Sequence, residues 1–217
     1  MTKNIFKRED FPKDAEYMMS LVDGLRNDYL NYNANVLEKD PSKIRLVGDD
    51  THPDNIEHLL DTPGTWRSIS VIYQFADKNI RMDEETKKYF PTALELTDYY
   101  GADTPISNYS SIEPGTVIHR HTGIENRSGE YIRVHIPLII PEGELFFEVA
   151  GEIVTWDDIW AFNNQKLHSA WNYTDKRRVV YIIDIRRTRL GLPPGLPYDA
   201  MRDEVTVTPF IYKGKFA

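Results

Sequence analysis

At 217 residues the chain can bury one sizeable core, and its 41% apolar and 12% aromatic content supplies that core, while a mean hydropathy of −0.51 excludes a membrane-embedded class. A formal charge of −8 argues against a general nucleic-acid binder, and the absence of cysteine removes disulfides, thiolate metal sites and a cysteine nucleophile. A single domain over residues 1–217 is expected; the opening MTKNIFKRED has no apolar signal core and no segment has the length of a membrane span, so a cytoplasmic protein without a membrane partner is expected.

Residues 1–100 read as a mostly helical support region. Met18, Leu21, Leu25 and Leu30 recur at roughly helical spacing and predict a helix over residues 14–30. Loops follow at Asp40-Pro41-Ser42 and over 48–53, then a short helix over 56–60 that Pro63 and Gly64 stop. Residues 66–75 predict a strand. A charged helix over 83–89 and a further helix from Phe90-Pro91-Thr92 to Tyr100 complete this half.

From Ser107 the pattern changes to short β runs punctuated by turns, at 109–112, 116–121, 131–140, 145–149, 153–156, 159–163 and 179–185. Many short strands imply a sandwich or barrel, so the expected fold is mainly β: a jelly-roll core over 101–190 with a helical N-terminal layer. Residues 191–217, rich in proline and glycine at their start, read as an extended tail leaving the domain.

Of six histidines, His52 and His58 fall in the helical half and read as surface residues, whereas His119, His121, His135 and His168 all fall in the β-rich half. Alternation along a strand puts His119 and His121 on one face and Arg133 and His135 on another, with His168 where a strand gives way to a turn. Each alone is most simply a core or surface histidine; four together point to a metal site. Two imidazoles hold a metal from one side, and Arg178, ten residues past His168, suits the far carboxylate of an oxo-acid cosubstrate. A facial triad would place a carboxylate two residues after its first histidine, where this chain has Gly123. Arg178 also reads as a surface residue in a run with Lys176 and Arg177, but its strand face continues through Val180, Ile182 and Asp184. An arginine on so apolar a face is buried and needs an anionic partner.

An ordered set of residues resembles the aspartyl/asparaginyl β-hydroxylase family: Pro114-Gly115-Thr116, His121-Thr122-Gly123, Arg133 and His135 followed by Ile136-Pro137-Leu138, Phe162-Asn163-Asn164, His168, and Arg178 ahead of an apolar strand ending in Asp184. The resemblance spans roughly residues 60–190 and includes Phe90-Pro91-Thr92. It implies a double-stranded β-helix, cupin-like in form, that uses Fe(II), 2-oxoglutarate and dioxygen. By position it makes His121 and His168 the iron ligands and Arg178 the partner of the distal carboxylate of 2-oxoglutarate, with Ser110, Arg133 and His135 lining the same pocket. Gly123 matches the branch typified by the animal hydroxylases, which hold iron with two histidines and water. The 127–130 turn, and Tyr131 where an additional arginine is common, depart from the pattern.

The resemblance implies a small-molecule amino acid or a peptide residue as substrate, and leaves halogenation open because a halide can occupy the position Gly123 leaves. Arg120, Lys166, Arg186, Arg187 and Arg189 are candidates for a substrate carboxylate, against the alternative of a solvated basic edge. A second reading is a three-histidine cupin, metalloenzyme or metal-dependent binding protein, with His119, His121, Glu125 and His168 as ligands and Asn172 four residues on. The sequence does not specify an oligomeric state.

Overall fold

The computed structural model describes residues 3–47, 60–62, 65–75, 78–123 and 126–197. The first part of the chain forms β1 (Ile5–Lys7), α1 (Pro12–Ser20), α2 (Val22–Tyr32), β2 (Arg45–Leu46), β3 (Trp66–Phe75), β4 (Lys78–Arg81), α3 (Glu84–Lys87) and α4 (Pro91–Tyr100). Eight strands follow: β5 (Ile106–Ile112), β6 (Thr116–His121), β7 (Tyr131–Ile139), β8 (Leu145–Val149), β9 (Glu152–Val154), β10 (Trp160–Phe162), β11 (His168–Asn172) and β12 (Arg178–Arg186).

The larger sheet has the order β1-β10-β7-β12-β5-β3-β2, with β4 on β3, and the smaller has the order β6-β11-β8-β9. From β5 onward the chain crosses between the two sheets and returns. This winding is a double-stranded β-helix, the jelly-roll form expected. Strand β12 shows why the layers form where they do. Val180 and Ile182 point between the sheets with Ile112, Phe147 and Phe162, while Tyr181 and Ile183 point outward to Leu25, Phe90 and Leu96 of the helices. Both faces of RVVYIIDIR are therefore buried, and the strand is nearly continuous in apolar residues.

The helix expected over 14–30 is two helices. They meet at Leu21, where ψ is −4° and the amide donates to the carbonyl of Met18, a tightened turn. Beyond it the buried positions are Val22, Leu25, Asp28, Tyr29 and Tyr32, and Leu30 falls off that stripe with 46% exposure. Buried Asp28 accepts from the amides of Thr92 at 2.9 Å and Ala93 at 3.1 Å, so its carboxylate caps α4 from another helix. Asp28→Ala leaves two donors without that acceptor and should cost about 1–3 kcal/mol in urea unfolding. An unchanged midpoint would show that α4 does not depend on this cap.

Three further sequence expectations need correction. His168 does not sit at a turn but opens β11, a strand buried on both faces whose sequence HSAWN lacks an apolar alternation. The support region, read as helical apart from a strand over 66–75, also contributes β1, β2 and β4 to the larger sheet. Residues 191–197 do not leave the domain: Leu192 is buried, Gln165 Nε2 donates to the carbonyl of Leu196, and Arg187 Nε donates to that of Pro193. The expected helix over 56–60 (apart from Leu60, which bridges to Ile118), His52, His58, Glu125 and residues 198–217 lie outside the described residues.

Candidate active site

Strands β6 and β11 are antiparallel neighbours with His121 directly opposite His168, and the two imidazole centroids stand 4.2 Å apart. Each Nδ1 lies 2.8 Å from a backbone carbonyl two residues earlier, His119 O for His121 and Lys166 O for His168. A carbonyl only accepts, so each ring carries its proton on Nδ1 and presents the lone pair of Nε2. Burial, more than the neighbouring His121, holds the pKa of His168 well below the ordinary value, which keeps this imidazole neutral.

A β-bulge decides which histidine accompanies His168. Ala170 pairs with Ile118 and His168 with His121, so two steps on β11 answer three on β6. Ile118 and His121 consequently both line the interior pocket, and His119 turns outward to Asp61, 2.7 Å away on the surface. The expectation that His119 and His121 share a face is overturned. With it goes the three-histidine cupin arrangement, and among the described residues no three His, Cys, Asp or Glu side chains gather to hold a metal.

The pocket that receives His121 and His168 also receives Ser110, Arg133, His135 and Arg178. Arg178 is 2% exposed. Its guanidinium lies 4.7 Å over the ring of Trp156, Nη1 reaches the carbonyl of Ser110 at 3.4 Å, and Nε has no hydrogen-bond partner. Burial alone pushes its pKa down to about 9, so it stays charged at neutral pH and carries the desolvation cost. Trp66 donates from Nε1 to the Ser110 hydroxyl at 3.0 Å, and Trp156 donates from Nε1 to His135 Nδ1 at 3.2 Å. His135 is fully buried, and burial followed by the charges of Arg178 and Arg133 drives its pKa well below the ordinary value.

Arg133 differs from Arg178 in having an acid partner. Asp184, its register partner on β12, takes its Nε at 2.7 Å and its Nη2 at 2.8 Å, so this arginine enters the pocket already neutralised. The other cations suggested by the sequence are paired or buried. Arg120 pairs with Glu148, Arg186 with Asp103 and Glu130, and Arg189 lies 3.6 Å from Asp14; Lys166 and Arg187 are buried. No open basic edge results from these five.

Sequence reasoning did not single out Trp66, and it gave Trp156 and Asn164, the latter part of the resembling set, no role of their own. Tryptophans in a β sandwich are ordinarily core, and only the fold reveals that one underlies Arg178. A Cβ built on Gly123 would stand 2.5 Å from Asn164 Nδ2, and Asn164 is itself held by a 2.8 Å hydrogen bond from Asn126 to its Oδ1. The corner where a triad carboxylate would start is thus filled by a buried amide. Gly123→Asp is therefore expected to destabilise the fold by about 1–3 kcal/mol through overpacking, without tightening metal binding. Fe(II) titration and urea unfolding of the variant test this; tighter metal at unchanged stability would refute it.

A family model described as aspartyl/asparaginyl beta-hydroxylase matches residues 25–188. The chain is 34% identical over 110 residues to the ornithine lipid ester-linked acyl 2-hydroxylase of Rhizobium tropici, covering 49% of this chain and 38% of that protein. It is 30% identical over 180 residues to the aspartyl/asparaginyl beta-hydroxylase of Homo sapiens, covering 80% of this chain and 22% of that one. The matches thus span well under half the length of either relative. Among solved structures, an oxidoreductase of the 2OG-Fe(II) oxygenase family from Burkholderia pseudomallei aligns with a TM-score of 0.42 and 10% identity, over 76% of this chain and 82% of that one.

Proposed function

The chain belongs to the aspartyl/asparaginyl β-hydroxylase family, and on that footing we propose that it is an Fe(II)- and 2-oxoglutarate-dependent dioxygenase that hydroxylates an unactivated C–H bond of an amino acid or of an aspartyl/asparaginyl-type residue in a peptide. The observation that carries the proposal is Arg178, buried and charged with no acid paired to it among the described residues, in the same pocket as two imidazoles whose Nδ1 atoms are held by backbone carbonyls.

The residues present fit the group. His121 and His168 supply two imidazole nitrogen donors, as suits Fe(II), and among the described residues the corner at Gly123 adds no third protein ligand. When bound, iron and 2-oxoglutarate supply dioxygen activation coupled to loss of carbon dioxide and release of succinate. The protein's share is placement. Arg178 neutralises the distal carboxylate of the cosubstrate, and the Ser110 hydroxyl, oriented by Trp66, offers it a further polar contact. Trp156 supports the guanidinium from one face and keeps water from it. The Arg133–Asp184 pair adds a polar wall without adding charge, so Arg178 is the pocket's uncompensated cation.

Hydroxylation is favoured over halogenation because the family is one of hydroxylases. The test is anaerobic reconstitution with Fe(II) and 2-oxoglutarate, then oxygen-18 gas and a screen of free amino acids, followed by peptides and acyl esters, the last prompted by the rhizobial relative's name. Succinate should form together with a product heavier by one labelled oxygen in chloride-free buffer. A chlorinated product, or dependence on chloride, would move the assignment to a halogenase. Failure of every candidate to draw on 2-oxoglutarate would remove the dioxygenase reading.

A further inference from the structure

Two arginines among the described residues are buried with no carboxylate paired to them. Arg178 is accounted for by the proposed cosubstrate; Arg187, 3% exposed, is not. It follows β12 directly, in the short turn Arg187–Leu190. Its surroundings repeat those of Arg178. The guanidinium lies 5.2 Å over an aromatic ring, that of Phe6, one nitrogen donates to a backbone carbonyl, Pro193 O at 2.8 Å, and another, Nη1, has no partner. Burial is the sole cause lowering its pKa, with no acid raising it.

Arg187 lines a cavity of about 440 Å³ that is separate from the histidine pocket, sharing none of its lining residues. Its walls are Phe6, Leu192, Leu196 and two prolines, with Lys3 and Asp10 also present. Lys3 and Asp10 already pair at 2.6 Å, which leaves the charge of Arg187 as the one to be neutralised. A buried cation without a counterion costs several kcal/mol of desolvation, and an anion with an apolar body would offset that while covering the apolar walls.

We propose that this cavity is a second ligand site, which takes a small monocarboxylate with its carboxylate on Arg187 and its hydrocarbon body against Phe6, Leu192 and Leu196. One charge suits a single guanidinium, and the walls favour a compact aliphatic body over a polar one. Asn163 lines this cavity and its chain neighbour Phe162 lines the histidine pocket, so the two sites adjoin along the chain.

Hexanoate is the probe and hexanamide its neutral counterpart, titrated by calorimetry into the intact chain. Hexanoate should bind and raise the melting temperature, and hexanamide should do neither. Arg187→Leu should weaken hexanoate at least about tenfold, the scale of one charge-assisted hydrogen bond, while Arg187→Lys keeps part of the affinity. Arg178→Leu should leave hexanoate binding unchanged, which separates this site from the cosubstrate pocket whether or not the dioxygenase reading holds. Equal response to hexanamide, no binding by the parent protein, or loss in Arg178→Leu but not in Arg187→Leu would each overturn the proposal. The melting comparison needs no variant, so it stands even if Arg187→Leu does not fold.

Discussion

Replacing His121 or His168 with alanine is expected to abolish 2-oxoglutarate turnover and to lower Fe(II) affinity by more than the roughly 10–100-fold typical of outer-shell changes, because each removes one of two protein donors. His119→Ala is the informative control. It removes a surface imidazole bonded to Asp61, yet leaves the carbonyl that accepts from His121 Nδ1, so metal binding should be retained. Anaerobic titration with Fe(II) reads all three. Equal loss in the three variants would return His119 to the ligand set and revive the cupin arrangement that the bulge in β6 argues against.

Arg178→Leu should weaken 2-oxoglutarate at least about 100-fold, since charge-assisted hydrogen bonds to a buried group are each worth roughly 1.5–3 kcal/mol. The same change should not lower the melting temperature of the unliganded protein, and an increase is expected. In that state the guanidinium is a desolvated cation resting on Trp156 and one carbonyl, and an apolar side chain of similar length ends that cost. Opposite effects on binding and stability are the signature of a residue kept for its ligand. Arg178→Lys keeps a charge but loses the planar fork, and should also be impaired. Calorimetry with 2-oxoglutarate decides: unchanged affinity in both variants places the anchor elsewhere, with Arg133 next in line despite its pairing with Asp184.

The expectation that Arg178 is buried came from alternation alone. Its partners two, four and six residues on are Val180, Ile182 and Asp184, and the strand lies as that pattern requires. The same rule failed at His119 and His121, because alternation assumes one residue per pleat and a bulge inserts an extra one. It failed again at β11, where contacts with β6 and β8 on either side make a strand of a segment that its own residues do not specify.

The sequence by itself determined the class of the fold, most of the strand positions in the second half and the grouping of His121, His168 and Arg178 in one ordered set, because periodicity and motif order are properties of the chain read along its length. Only the tertiary structure decided the matters that depend on neighbours distant in sequence. It turned His119 out and His121 in, gave Arg133 a carboxylate, left Arg178 and Arg187 without one among the described residues, and set Asn164 against Gly123. Burial and charge compensation are sums over everything packed around a group, and for a buried arginine those surroundings come from other strands and loops, at spacings that no local pattern records.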